Sequence, residues 1–303
     1  MPARRRIFRQ RCGSTTSNDS ADRLRALILD VDGVRTRVLY GGTGPALFLL
    51  HGVGVSGSSF YRNIDELGRR YTVYAPDMLG HGFTDAVDFK DGPPQPPTVR
   101  HLGLLADRLD LERYSIGGSS YGGLIAALMW FDRPKRVDNL ILIGTGAVFH
   151  PAEEQERTLR NAAANASQAL SDPTLESCRK RLGAICYDPR SVPEEILLEQ
   201  LTSYALPDRF DAYKATIAGL IATCSSSEYR VYTRLEQLSA RTLILTGRED
   251  IRAKWELHVD GRRRMPNSRL AIFEKCGHLP YLEHPEAFNT AVAGFLSGEP
   301  VGE

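Results

Sequence analysis

The chain has 303 residues, with 38 Lys plus Arg against 37 Asp plus Glu and a formal net charge of +1. That balance argues against a nucleic-acid or anionic-membrane partner, and the length suffices for one large core with an insertion. No apolar run approaches the ~18 residues of a membrane span. The five cysteines, Cys12, Cys178, Cys186, Cys224 and Cys276, are scattered without a Cys-x-x-Cys pair, the pattern of free thiols in a reducing, cytoplasmic compartment.

Residues 1–22 combine Arg4, Arg5, Arg6, Arg9 and Arg11 with a polar run from Ser14 to Ser20, which predicts a disordered tail. An organelle transit peptide shares this composition. Ala26 to Val31 and Val34 to Tyr40 then read as a hairpin turning at Asp32-Gly33. The run Leu27-Ile28-Leu29-Asp30-Val31-Asp32-Gly33 resembles the opening motif of haloacid-dehalogenase-like phosphatases, which would make Asp30 a nucleophile beside Mg²⁺. The lysine and further acids which that fold needs cannot be placed, and a tight turn explains the same residues.

Ala46 to Leu50 is a buried strand, and Phe60, Ile64 and Leu67 mark one helix face. Tyr71 to Ala75 is the next strand. Gly92 to Pro97 reads as a stiff surface loop, and Leu102, Leu105 and Leu109 as another helix face. A strand over Leu111 to Gly117 leads into Gly118-Ser119-Ser120-Tyr121-Gly122, and an apolar helix over Leu124 to Phe131 leads out until Pro134 stops it. A G-x-S-x-G between strand and helix is a nucleophile elbow, in which a tight turn exposes the central hydroxyl. Ser120 fits the register. Ser119 does not, because Tyr121 stands where its second glycine would be.

Leu140 to Ile143 is a central strand. Residues 148–236 then break the strand–helix rhythm, with helices expected over Glu153 to Leu170 and after Asp172-Pro173, Val192-Pro193 and Pro207-Asp208. This insertion is expected to be a helical cap that roofs the pocket, with Phe149, Tyr187, Tyr204 and Ile217 as candidate lining residues. Residues 23–147 and 237–298 form the core, and the alternation of strands and helices implies a mostly parallel central sheet flanked by helices, an α/β class. The strand Thr242 to Thr246 precedes Gly247-Arg248-Glu249-Asp250, and Leu270 to Phe273 precedes Cys276-Gly277-His278. Phe288, Val292, Phe295 and Leu296 stripe a final helix that starts at Pro285.

With this elbow the partners follow in the order Ser, acid, His. Asp250 is the expected acid on loop spacing, with Glu249 its rival. His278 is the expected base: it takes the Ser120 proton and returns it to the leaving group, while Asp250 fixes its tautomer. His51 ends a strand and suits a structural hydrogen bond, His81 packs in a loop, and His284 caps a helix. His101, His150 and His258 carry no flanking signal. An oxyanion needs aimed backbone amides. Tyr121 supplies one, and Val53, in His51-Gly52-Val53-Gly54, supplies the other.

Taken together, His51-Gly52, Asp77 to Gly82, the elbow, Asp250 and Cys276-Gly277-His278 resemble the α/β-hydrolase superfamily over roughly residues 25–297. Within it the chain is most similar to the hydrolases of meta-cleavage products, on His51 to Gly54, Gly118 to Gly123, and Tyr187-Asp188-Pro189 with Val192-Pro193-Glu194-Glu195. Those enzymes carry Asn before the nucleophile, an aromatic residue after the catalytic His, and a cap arginine that holds the substrate carboxylate. Here the matching positions read Ser119, Leu279 and Leu198-Glu199-Gln200-Leu201. Loss of that cation removes a charge-assisted clamp. The expectation is a serine hydrolase of a small organic ester or related acyl compound, with no metal or organic cofactor and a homo-oligomer possible. Carbon–carbon hydrolysis of an aromatic ring-cleavage product is the alternative, and a ligand receptor on a hydrolase scaffold is the alternative of another class.

Overall fold

The computed structural model describes residues 24–89 and 92–299. The expected basic tail, and Cys12 with it, lies outside them. Eight strands form one sheet: β1 (Arg25–Val31), β2 (Val34–Gly41), β3 (Ala46–Leu50), β4 (Thr72–Pro76), β5 (Tyr114–Ser119), β6 (Val137–Ile143), β7 (Arg241–Gly247) and β8 (Ser268–Phe273). Their order is β1-β2-β4-β3-β5-β6-β7-β8. β1 and β2 form the expected hairpin and β2 runs antiparallel to β4. Every other pairing is parallel.

The hairpin turn puts both Asp32 (φ 55°) and Gly33 (φ 86°) in the left-handed region, as its two-residue length demands. Asp30 Oδ1 accepts the Gly33 amide at 3.0 Å, so the carboxylate of the phosphatase-like motif serves its own turn. The central strands β3, β5, β6 and β7 are apolar and buried almost throughout, as strands covered on both faces must be. β8 is half-exposed along its whole length and forms an edge.

The helices of the core are α1 (Tyr61–Leu67), α2 (Gln95–Arg108), α3 (Tyr121–Asp132) and α4 (Gly146–Phe149) before the insertion, and α9 (Trp255–Arg264), α10 (Pro280–Glu283) and α11 (Pro285–Ser297) after it. Between β6 and β7 lie α5 (Ala152–Ser171), α6 (Leu175–Gly183), α7 (Glu194–Tyr204) and α8 (Arg209–Ala222), with no strand among residues 148–236. No helix of the described residues is long and apolar enough to cross a membrane.

Two boundaries differ from expectation. α2 begins inside the proline run, because Pro96 and Pro97 fall in the first turn, where a missing N–H costs nothing. β5 begins at Tyr114 and not at Leu111. Asp110 (φ 54°) closes α2 in a left-handed cap, the Leu111 amide donates to Ala106 O and the Asp110 amide to Asp107 O, which is a Schellman motif. Leu111 is therefore half-buried against the end of a helix rather than being part of a strand.

Candidate active site

The register of the parallel strands brings their carboxyl ends together, since Leu50 of β3 faces Gly118 of β5 and Ser119 of β5 faces Ile143 of β6. Open α/β sheets bind ligands at that edge. Ser120 follows β5 at φ 52° and ψ −113°, a strained conformation for a residue with a Cβ. Its amide donates to Ile143 O at 2.9 Å and its carbonyl accepts from Thr145 Oγ1 at 2.8 Å, which hold the turn. A Cβ at Gly118 would run into the Gly122 carbonyl, and one at Gly122 into the Leu50 carbonyl, so the elbow closes only with glycine at both positions.

His278 Nδ1 lies 2.8 Å from Asp250 Oδ2, and both side chains are buried. Burial works to raise the Asp250 pKa. The neighbouring imidazole, its hydrogen bond and the amides of Arg252 and Ala253 outweigh it and hold the carboxyl below its ordinary value. The carboxylate is thus ionised, Nδ1 carries the proton it donates, and Nε2 is left as the acceptor. Glu249, the rival acid, is exposed and accepts the Cys276 amide at 2.9 Å instead. Cys276 is fully buried, and burial pushes its thiol pKa up.

Ser120 and His278 line the same two small cavities, of about 30 and about 20 Å³. The Ser120 hydroxyl makes no hydrogen bond to another protein group among the described residues. Catalytic hydrogen bonds are often completed only when substrate is bound. Val53 borders both cavities and Tyr121 one of them. Tyr121 is the first residue of α3, where a helix leaves its amides unsatisfied, and neither its N–H nor that of Val53 has an acceptor among the described residues.

His51 shapes the Val53 loop. The Met78 amide donates to His51 Nε2 at 2.9 Å, so Nδ1 must carry the proton, and it donates to Gly52 O at 2.7 Å. The Gly52 carbonyl and the Val53 N–H are opposite ends of one planar peptide. Fixing the first therefore fixes the direction of the second. Burial lowers the His51 pKa and keeps the ring neutral for this task.

Three site features escaped the sequence reading. Glu283 of α10 accepts the amides of Gly277 (2.9 Å) and Leu279 (3.0 Å), which flank His278, and that of Tyr187 (2.7 Å). The His278 amide itself donates to Ile185 O at 2.8 Å, so the segment between α6 and α7 grips the histidine loop. Arg181 of α6 and Arg252 of the loop after β7 both border the cavity beside Ser120 and His278. Arg181 falls among Cys178, Leu182 and Ile185, the buried positions of α6 and its end, and a charge within an apolar stripe was its one sequence signal.

The expected lining residues fare differently. Tyr187 is 51% exposed on the surface. Phe149 is buried against the ring of His258, with centroids 4.8 Å apart. Tyr204 is buried and donates to Gly54 O at 2.5 Å, and Ile217 is buried and borders neither of the two cavities. Leu124, Ala147, Leu159, Ala162 and Leu220 supply the apolar walls instead. A cavity of about 790 Å³ between α1 and α11 touches none of these residues.

Residues 47–291 match the alpha/beta hydrolase family. The chain belongs to that family. It is an α/β-fold hydrolase, and its relatives are hydrolases as well. Over 274 residues it is 31% identical to a 2-hydroxy-6-oxononadienedioate/2-hydroxy-6-oxononatrienedioate hydrolase of Burkholderia vietnamiensis, covering 88% of this chain and 92% of that protein. It is 27% identical to a 2-hydroxy-6-oxo-6-phenylhexa-2,4-dienoate hydrolase of Burkholderia cepacia, covering 84% of this chain and 89% of that one. Among solved structures, the meta-cleavage product hydrolase of Pseudomonas fluorescens superposes with a TM-score of 0.73 at 27% identity, over 90% of this chain and 97% of its own. This family member is thus similar to the meta-cleavage product hydrolases along most of its length.

Proposed function

We propose that this hydrolase is a serine hydrolase acting on a small organic ester or related acyl compound. Ser120 attacks the carbonyl, His278 takes its proton and returns it to the leaving group, and Asp250 holds the imidazole in the required tautomer. The amides of Val53 and Tyr121 receive the oxyanion. Water activated by His278 then releases the acid. The observation that carries this reading is the strained Ser120 turn, which presents its hydroxyl to a cavity shared with an imidazole already bonded to a buried carboxylate. Helices α5 to α8 act as a cap over that cavity and exclude water from it.

A second reading, carbon–carbon cleavage of an aromatic ring-cleavage product, is favoured by the names of the relatives. The same groups would attack a ketone carbonyl in place of an ester. Ser119, Leu279 and the run Leu198-Glu199-Gln200-Leu201 depart from the pattern of those enzymes, which keeps ester hydrolysis in first place. A panel of simple aryl esters and vinylogous diketo acids separates the two. In either case Ser120→Ala lowers kcat by on the order of 10⁴–10⁶, and a fluorophosphonate labels the unsubstituted chain at Ser120. Turnover in the Ser120→Ala protein close to that of the parent overturns the assignment. Labelling without turnover of any substrate in the panel would point instead to a receptor on a hydrolase scaffold.

A further inference from the structure

We propose that Arg181 and Arg252 form an anion-binding subsite beside Ser120, so that the substrate carries a carboxylate or a like charge. The proposal rests on the reading of Ser120 as nucleophile for its kinetic arm only.

Arg181 is 6% exposed, yet its Nε and Nη1 have no hydrogen-bond partner among the described residues. Its Nη2 makes a long contact, 3.4 Å, to the carbonyl of Val53, the guanidinium lies 5.3 Å from the ring centre of Tyr204, and the Tyr213 hydroxyl is a further neutral neighbour. The Arg252 guanidinium donates no hydrogen bond among the described residues. Neither arginine has a described carboxylate within 4.0 Å. Asp250, two residues from Arg252, is committed to His278 and to two backbone amides. Burial and the charge of Arg181 together lower the Arg252 pKa, so the two cations oppose each other.

Burying a guanidinium costs several kcal/mol unless a counter-charge compensates it. Here two are held at one cavity, one from α6 and one from the loop that carries the proposed acid, with no internal anion between them. The other side chains bordering that cavity include Asn165, whose amide donates to the Arg181 carbonyl at 3.1 Å, the neutral hydroxyl groups of Ser119 and Tyr281, and the apolar Val55, Ile185 and Leu279. None supplies negative charge. An incoming carboxylate would take charge-assisted hydrogen bonds from the Arg181 donors that now lack acceptors. A neutral ester would leave the buried charge of Arg181, and the half-buried one of Arg252 beside it, without an anion at this cavity. With the two side chains in place the space is only about 20 Å³, and they are its longest and most flexible walls, able to swing onto an anion as it enters. The cations reach the site from positions outside Leu198-Glu199-Gln200-Leu201, where the family resemblance had led us to look.

The experiment compares isosteres that differ in one charge. Benzoate raises the Tm of the unsubstituted chain and benzamide at equal ionic strength does not. The benzoate shift disappears in Arg181→Gln and in Arg252→Gln. For kinetics, the ratio of kcat/KM for 4-acetoxybenzoate over 4-acetoxybenzamide falls about 10- to 100-fold in either variant, the span expected for one lost charge-assisted contact. Equal stabilisation by benzoate and benzamide overturns the subsite, as does equal loss on both esters, which would make the arginines structural or oxyanion-directed. If Arg181→Gln fails to fold, Arg252→Gln, on a loop, carries both readouts alone. Benzoate binding that depends on the arginines, in a chain that fluorophosphonate does not label, would sink the serine-hydrolase reading and leave the subsite standing.

Discussion

Acid should unfold this protein through its structural histidines before it reaches the carboxylates. His101, His150 and His258 are buried, and burial lowers each from 6.5 to about 4. Burial, with His51 adding to it, lowers His81 to about 3. Among the described residues His150 has no hydrogen-bond partner on either ring nitrogen, and His258 Nε2 and His81 Nε2 have none either. At pH 7 both folded and unfolded imidazoles are mostly neutral. As pH falls below 6.5 the unfolded chain takes up protons that the folded chain refuses, so stability is lost until the folded pKa is passed. Between pH 7 and pH 5 each of the four residues contributes about 2 kcal/mol of that loss. Their combined loss amounts to several kcal/mol, a large part of the stability of an ordinary domain. Urea titrations at pH 7, 6 and 5 measure it. The midpoint should fall steeply while the slope stays constant, and His101→Gln should reduce the pH 5 penalty by about 2 kcal/mol. A midpoint that does not move between pH 7 and pH 5 would refute the reasoning.

The remaining predictions concern the site. Asp250→Asn leaves the fold intact and lowers kcat on the order of 10⁴-fold, because an amide no longer selects the productive tautomer of His278; steady-state kinetics on an aryl ester read it, and a loss below tenfold contradicts the role. Gly118→Ala costs more than about 2 kcal/mol, since the new methyl meets the Gly122 carbonyl; a urea midpoint equal to the parent's would mean that the elbow can relax. Glu283→Gln replaces a carboxylate that accepts three amides, so kcat and the rate of fluorophosphonate labelling should fall together by about tenfold or more, with about 1–3 kcal/mol of stability. Unchanged labelling would show that the His278 loop keeps its shape without it.

Much of the architecture was legible because the strands are short apolar runs at regular spacing and the helices are bounded by proline. The hairpin turn at Asp32-Gly33 and the four helices of the insertion fell where local chemistry put them. The elbow was legible too, since crowding at Gly118 and Gly122 leaves a signature in sequence. What could not be read was anything made by contact across the chain. Glu283 meets Gly277 and Tyr187 only after the fold has closed. Arg181 and Arg252 are 71 positions apart in number, and nothing local marks either as facing the other. The start of β5 was missed because Leu111 is apolar for the sake of the helix before it. Tyr187 was a candidate lining residue, yet its side chain is half exposed while its backbone amide is bound by Glu283.

The bond from the His278 amide to Ile185, with the Glu283 carboxylate shared between that strap and the histidine loop, ties two movements into one. On the mechanism proposed above, lifting the inserted helices from the sheet to admit a reactant would pull on the same few atoms that seat His278. An open mouth is therefore a disarmed one. Bulk water entering through it would meet a serine whose proposed partner has lost its support, and the chemistry would be armed again only once the inserted helices had come down around whatever was let in.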